Sequence, residues 1–330
     1  MKGTVLYEVR DGVALLTVDN PPVNPLSDGV RAGLYEGIAK AEADSSVVGV
    51  VLTGNGRAFI AGADISEFGG SGEGHGLHEV FKKLEYCSKP VVAAINGLAL
   101  GGGLETALCC NYRIASNQAF VGLPEVNLGL LPGAGGTQRL PRLVGPSEAL
   151  KIMLSGSHVT AKKALSLGIV DSLSDNVVED SIKFIKEKAA SSDSHPLVRD
   201  LNDKIIEARG NDNILVEAQA MTAKSRKGQF APGQIIKCVE AAINLDDFDE
   251  GLKKEAEYFL ECLVHPQREA MIHIFFGERA ASKVSDVPKD TPIMDIKKAG
   301  IIGSGTMGGG IAMCFANAGI PVHIIDQDAD

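Results

Sequence analysis

Tryptophan is absent from these 330 residues, aromatic side chains make up only 5% of them, and no run of Lys and Arg exceeds a few residues in a chain of formal net charge -10. An acidic chain without a basic stripe lacks the electrostatic footprint that a nucleic-acid backbone or an anionic membrane surface requires. An anionic ligand therefore needs a local basic pocket. The six cysteines, Cys87, Cys109, Cys110, Cys238, Cys262 and Cys314, show no CxxC spacing, which argues against a metal site or a disulfide framework and for a reducing compartment. The first residues, MKGTVLYEVRDG, lack the apolar segment of a secretory signal, and the most apolar stretch, Val91 to Leu104, is too short and too rich in glycine to span a bilayer. The final residues, QDAD, are not a peroxisomal address of the Ser-Lys-Leu kind. The compartment stays open between peroxisome and cytoplasm.

What is present reads as an ordinary globular enzyme: 45% apolar and 22% charged residues, in a chain long enough for two domains or for one large domain with an appendage. Two apolar runs flank Asp11-Gly12 and predict a hairpin. Val30, Leu34, Ile38 and Ala41 recur at helical spacing, and Val48 to Gly54 follows as a continuous, buried type of strand. The polar, Gly-rich segment Phe68 to Gly76 predicts a mobile loop before a helix around Val80 to Cys87 and a strand at Val91 to Ile95. A helix from Gly101 to about Cys110, a strand at Tyr112 to Ala115, and helices at Ala149 to Leu154 and Ala161 to Leu167 complete an α/β domain over residues 1–190. From Pro196 to Lys283 the pattern becomes a series of amphipathic helices punctuated at Gly210, Pro232, Gly251 and Pro266, assigned to a helical extension over residues 191–295. In residues 296–330 a strand enters a glycine turn, and a helix and the strand Val322 to Ile325 follow. That is the start of a βαβ unit.

The chemistry-bearing residues lie in the first part. Gly101 to Glu105 (GGGLE) puts small residues at a strand-to-helix turn, where unpaired backbone N–H groups can approach a ligand closely and hold an oxyanion. A second carboxylate, Glu125, follows in Gly122 to Val126 (GLPEV), in a loop that Pro124 and its apolar neighbours make structured and poor in water. Ala58 to Asp64 (AFIAGAD) offers further amides before a helix that Asp64 is placed to cap. Another glycine turn, Leu131 to Thr137, opens a helix just beyond Glu125.

With the motifs AGADI (Ala61 to Ile65), GGGLE, LPEV (Leu123 to Val126) and GLLPGAGGTQRL (Gly129 to Leu140) in this order and spacing, the chain resembles the crotonase, or enoyl-CoA hydratase/isomerase, superfamily over residues 5 to 190. The resemblance implies a ββα superhelix. It also implies that the amides of Ala63 and Gly102 polarise a CoA-thioester carbonyl, that Glu105 activates water, and that Glu125 moves the proton at C2. Hydration of a trans-2-enoyl-CoA needs both glutamates and no cofactor. Shuttling a proton between C4 and C2 of a 3-enoyl-CoA needs Glu125 alone. An apolar site would raise the pKa of at least one of them, as acid work near neutrality requires. Ala61 and Asp64 join the implied substrate contacts.

One departure concerns Ser66, where many hydratases of this kind carry a Lys for a CoA phosphate; Arg279 and Lys283, on a helix expected from Gln267 to Lys283, are the substitute cations. Gly303, Gly305 and Gly308, with Asp326 at the end of the next strand, form a GxGxxG dinucleotide fingerprint. They resemble the opening of the 3-hydroxyacyl-CoA dehydrogenase domain of multifunctional β-oxidation enzymes, whose order is hydratase, helical linker, dehydrogenase. The rest of that sheet and its catalytic His/Glu pair lie outside these 330 residues, so the expectation is a truncated Rossmann start without dehydrogenase activity, NAD belonging to the full-length context. Resemblance to both monomeric multifunctional enzymes and trimeric hydratases leaves self-association open. The rival readings are an acyl-CoA-binding remnant without turnover and another reaction on the same oxyanion hole, such as acyl-CoA hydrolysis.

Overall fold

Asp11 (φ 52°) and Gly12 (φ 79°) take the left-handed backbone that a two-residue hairpin needs, and they join strands β1 (Thr4–Arg10) and β2 (Val13–Asp19) in antiparallel register. The computed structural model describes residues 3–67, 74–191, 194–288 and 290–327. The loop expected from Phe68 to Gly76 falls, up to residue 73, outside the described residues. Two compact units are present, Met1–Phe276 and Gly277–Asp330.

In the first unit, after helix α1 (Asp28–Ala43), the chain repeats a strand-strand-helix motif. Strands β3 (Gly49–Gly54) and β4 (Ala58–Ala61) lead to α2 (Leu77–Glu85); β5 (Val91–Ile95) and β6 (Leu98–Leu100) lead to α3 (Gly102–Cys109); β7 (Tyr112–Ser116) and β8 (Phe120–Gly122) lead to α4 (Gly136–Val144). The first strand of each pair enters one sheet and the second strand enters another. With α5 (Pro146–Ser155), β9 (Val159–Thr160), α6 (Ala161–Leu167), β10 (Ser172–Ser174) and α7 (Val177–Ala190), the sheets read β1-β2-β3-β5-β7-β10 and β4-β6-β8-β9. This is a ββα superhelix. Every residue of β3 and β5 is buried, as strands covered on both faces must be. Val50 and Leu52 face the main core with Leu34 and Ile38 of α1, while Val51, Val92 and Ala94 face Ile182 and Ile185 of α7. Cys109 and Cys110 lie in the main core.

The helical extension holds α8 (Asp203–Ala208), α9 (Asn213–Ser225), α10 (Ala231–Asn244), α11 (Phe248–Val264) and α12 (Pro266–Ala281), and among the described residues it contains no strand. Helix α10 packs on α4, α5 and α11, and α11 packs on α4. Two expectations about α12 are corrected. It ends at Ala281, so Lys283 lies beyond its last turn, and Met271, Ile274 and Phe275, whose helical spacing in the sequence reads as core packing ahead of the lining of an acyl pocket, are not buried, with Ile274 59% exposed. In the second unit, β11 (Ala299–Ile302) and β12 (Val322–Ile325) pair in parallel around α13 (Thr306–Asn317). No helix among the described residues is long and apolar enough to cross a membrane.

Candidate active site

Strands β4, β6 and β8 run parallel with Ala61, Leu100 and Gly122 at one level. The three segments that follow therefore leave the small sheet at the same edge: Ala63 after β4, Gly102 after β6 and Glu125 after β8. Gly101 (φ 54°) turns the chain from β6 into α3, and its N–H donates to the Gly122 carbonyl at 2.8 Å, which ties the exits of β6 and β8 together. A Cβ on Gly102 would lie 3.5 Å from the Ala63 nitrogen, so these two backbones run side by side. Gly102 opens α3, where the first amides have no acceptor within the helix. Register, rather than any side chain, brings the Ala63 and Gly102 amides together.

Glu105 follows one turn into α3, and its own N–H donates to the Gly101 carbonyl at 3.0 Å. The residue is 3% exposed, and its Oε1 accepts from the Ala134 N–H at 2.9 Å and the Gly136 N–H at 2.8 Å. Both donors sit in the glycine turn that opens α4. Glu125 begins a 3₁₀ turn, Glu125–Leu128, after Pro124. Its Oε1 lies 2.8 Å from the point a Cβ on Gly101 would occupy. Its Oε2 is buried and has no hydrogen-bond partner among the described residues.

These surroundings push the two carboxyls apart. Burial raises the pKa of Glu105 above the usual range, but the two amides and the nearby Arg139 charge act in the opposite direction. Burial raises Glu125 well above that range, and repulsion from Glu105 adds to it. Glu105 is thus the group that ionises first, and Glu125 the one that keeps a proton. A methyl group at position 101 would strain a left-handed backbone and meet the Glu125 carboxyl. Gly101→Ala is expected to lower turnover about a hundredfold, the scale of a 1 Å misplacement, while the far-ultraviolet circular dichroism stays that of the parent; unchanged turnover would contradict this geometry.

Ala61 ends β4. Asp64 precedes a 3₁₀ turn, Ile65–Glu67, and residues 68–73, into which the helix it was expected to cap would continue, lie outside the described residues. Arg279 and Lys283 are exposed residues of the second unit. Gly303 (φ 97°) and Gly305 form a turn before α13, and Gly308 lies in the first turn of that helix, so close that a Cβ on it would lie 1.8 Å from the Gly303 carbonyl oxygen; Asp326, just past β12, accepts from the Ser304 backbone and hydroxyl. Among the described residues, no group of His, Cys, Asp and Glu is arranged to hold a metal ion.

Sequence reasoning missed Glu255. It lies on α11 with 0% exposure, and its Oε1 accepts from the Gly135 N–H at 2.6 Å. Its Oε2 accepts from the Thr137 N–H at 3.1 Å and the Thr137 hydroxyl at 2.5 Å. The available signal was periodicity: Glu255 falls on the buried stripe of α11 with Phe248, Gly251 and Cys262. A second buried group, Arg139, donates from Nε and Nη2 to Glu85 at 2.9 and 3.0 Å and from Nη1 to the Ala134 carbonyl at 3.3 Å, bracing the same turn.

Residues 8–234 match the enoyl-CoA hydratase/isomerase family, and residues 298–330 match the NAD-binding domain of 3-hydroxyacyl-CoA dehydrogenase. The peroxisomal bifunctional enzyme of Cavia porcellus is 41% identical over 324 residues, which cover 96% of this chain and 44% of that protein. The fatty acid oxidation complex subunit alpha of Shewanella oneidensis is 39% identical over 333 residues, covering 96% of this chain and 47% of that one. The chain spans about half the length of the curated relatives it matches. Among solved structures, the enoyl-CoA hydratase/isomerase of Pseudoalteromonas atlantica superposes with a TM-score of 0.61 at 26% identity, over 83% of this chain and 97% of that one.

Proposed function

The chain belongs to the enoyl-CoA hydratase/isomerase family, and on that premise we propose that it adds water to trans-2-enoyl-CoA thioesters in fatty-acid β-oxidation and isomerises 3-enoyl-CoA to 2-enoyl-CoA in the same site. The observation that carries this reading is the pair of unlike carboxyls at the edge where the Ala63 and Gly102 backbones meet: Glu105 held by two N–H donors, Glu125 with a buried Oε2 that has no hydrogen-bond partner among the described residues. Relatives named peroxisomal bifunctional enzyme support a peroxisomal setting.

In this reading the thioester oxygen accepts from the Ala63 and Gly102 amides, which draws electron density from C3 and stabilises the enolate-like state. Such a donor is worth about 2.7–4 kcal/mol where one has been removed from other enzymes. Glu105, as carboxylate, takes a proton from water while the hydroxyl oxygen bonds to C3. Glu125, as carboxylic acid, delivers its proton to C2, so one water is consumed and both glutamates reset by proton exchange. For isomerisation Glu125 starts from its ionised form, takes a proton from C2 and returns it to C4, and no water is needed. The glycine turn of the second unit, with Asp326 beside it, fits the adenosine end of NAD, which would supply hydride acceptance in a complete dehydrogenase; no step of hydration uses it.

The reading is tested by adding the protein to crotonyl-CoA and following the enone absorbance. Loss of the absorbance without release of free CoA is the expected result. Release of free thiol would instead indicate thioester hydrolysis, and binding without turnover would indicate an acyl-CoA-binding protein.

A further inference from the structure

Four successive backbone amides at the start of α4 are divided between two carboxylates. Ala134 and Gly136 donate to Glu105, while Gly135 and Thr137 donate to Glu255. Glu105 comes from the ββα core, 29 and 31 residues before its donors, and Glu255 from the helical extension, 118 and 120 residues after its own. In a segment this short, a shift that lengthens one set of bonds also moves the other. The orientation of Glu105 therefore depends on a residue outside the core. Glu255 is fully buried, and Arg139, the cation beside the turn, is already bound in bidentate fashion by Glu85. A buried carboxylate placed this way leaves two amides and a hydroxyl unsatisfied if it is removed, and the turn has no water-exposed alternative.

We propose that Glu255 is a positioning residue for hydration: by holding the Gly135 and Thr137 amides, it fixes the turn that aims the Glu105 carboxylate at water. The inference rests on the hydratase reading above. It makes the helical extension a structural part of the hydratase site, in cis, rather than a spacer.

Charge links the two residues as well as geometry. Glu255 faces Glu105 and Arg139 most directly, and the charges of Glu125 and Cys238 are also coupled to it. Burial and the Glu105 charge raise the Glu255 pKa to about 8. Ionisation of either carboxyl thus opposes ionisation of the other, and the pair titrates as a unit. Over the range in which Glu105 ionises, Glu255 still holds its proton, so it acts on Glu105 through the turn: weakening the Ala134 and Gly136 bonds removes what lowers the Glu105 pKa, and Glu105 then gives up its proton at higher pH.

The test uses the full chain with Glu255→Gln and Glu255→Asp. Gln keeps the acceptor for one amide and loses the charge; Asp keeps the charge and shortens the reach. Both are expected to lower kcat for crotonyl-CoA hydration tenfold to about a hundredfold, with KM nearly unchanged and isomerisation less affected. In both variants the ascending limb of the hydration pH profile moves up, because Glu105 loses hydrogen bonds that favour its ionised form. A Glu255→Gln protein with parental kcat and an unmoved limb overturns the proposal, whatever its melting temperature. Infrared titration of the buried carboxyl bands, assigned with Glu105→Gln, reads the same shift without turnover. If the parent hydrates nothing but the Glu105 band still moves in Glu255→Gln, the hydratase reading fails while the coupling stands. If the band does not move, the coupling fails as well.

Discussion

Glu125→Gln is expected to abolish most of both activities, lowering hydration and isomerisation each by about 10²–10⁴-fold, the usual contribution of a placed acid or base. The reason is that, among the described residues, Oε2 is buried with no hydrogen-bond partner to take over its proton, and Oε1 lies against the Gly101 turn, 2.8 Å from the point a Cβ there would occupy. Gln has nearly the same volume and cannot deliver a proton, so a loss reports the chemistry and not the packing. The measurement is steady-state turnover of crotonyl-CoA and of a 3-enoyl-CoA by each protein. If isomerisation survives at the parental rate, another group moves the C2 proton and the assignment of Glu125 is wrong. Because Glu125 works in its protonated form and its pKa is raised, hydration should decline on the alkaline side as this group ionises, at a pH above the usual carboxyl range.

Glu105→Gln should separate the two reactions. Hydration is expected to fall by about 10²–10⁴-fold and isomerisation by less than about tenfold, since only hydration needs a base for water. The Gln side chain retains an oxygen to accept from the Ala134 and Gly136 amides, so the turn keeps its anchor. Parallel loss of both activities would place Glu105 in the shared proton path or make it essential to the site's shape. That outcome would also remove the basis for giving Glu255 a role through it.

Much of this site is legible without coordinates because its parts are local. Gly101 to Glu105 is a turn and the first turns of a helix, and neither needs a distant residue to form. The long strands show the same legibility: Val91 to Ile95 coincides with β5, since a run of apolar residues covered on both faces carries its own signal. Strands of the small sheet are different. β6 and β8 hold three residues each, too few to display a period, and they exist because their neighbours supply the hydrogen bonds. The stripe of Met271, Ile274 and Phe275 on α12 follows the same logic: its spacing is locally plausible for a core face, and burial depends on what packs against it.

Glu255 marks the limit most clearly. In Lys253-Lys254-Glu255-Ala256-Glu257 it sits among charged residues, and only its place on the stripe of Phe248, Gly251 and Cys262 sets it apart from Glu257. The glutamate pair, the glycine turns and their order were determined by the sequence alone, since spacing along the chain sets which residues can flank a turn. The meeting of the Ala63 and Gly102 backbones, the unequal hydrogen bonding of Glu105 and Glu125, and the division of one turn between Glu105 and Glu255 were decided only by the tertiary structure. Parallel register places segments from three strands at one edge, and the packing of α11 on α4 removes water from a carboxylate that would otherwise be an ordinary surface charge.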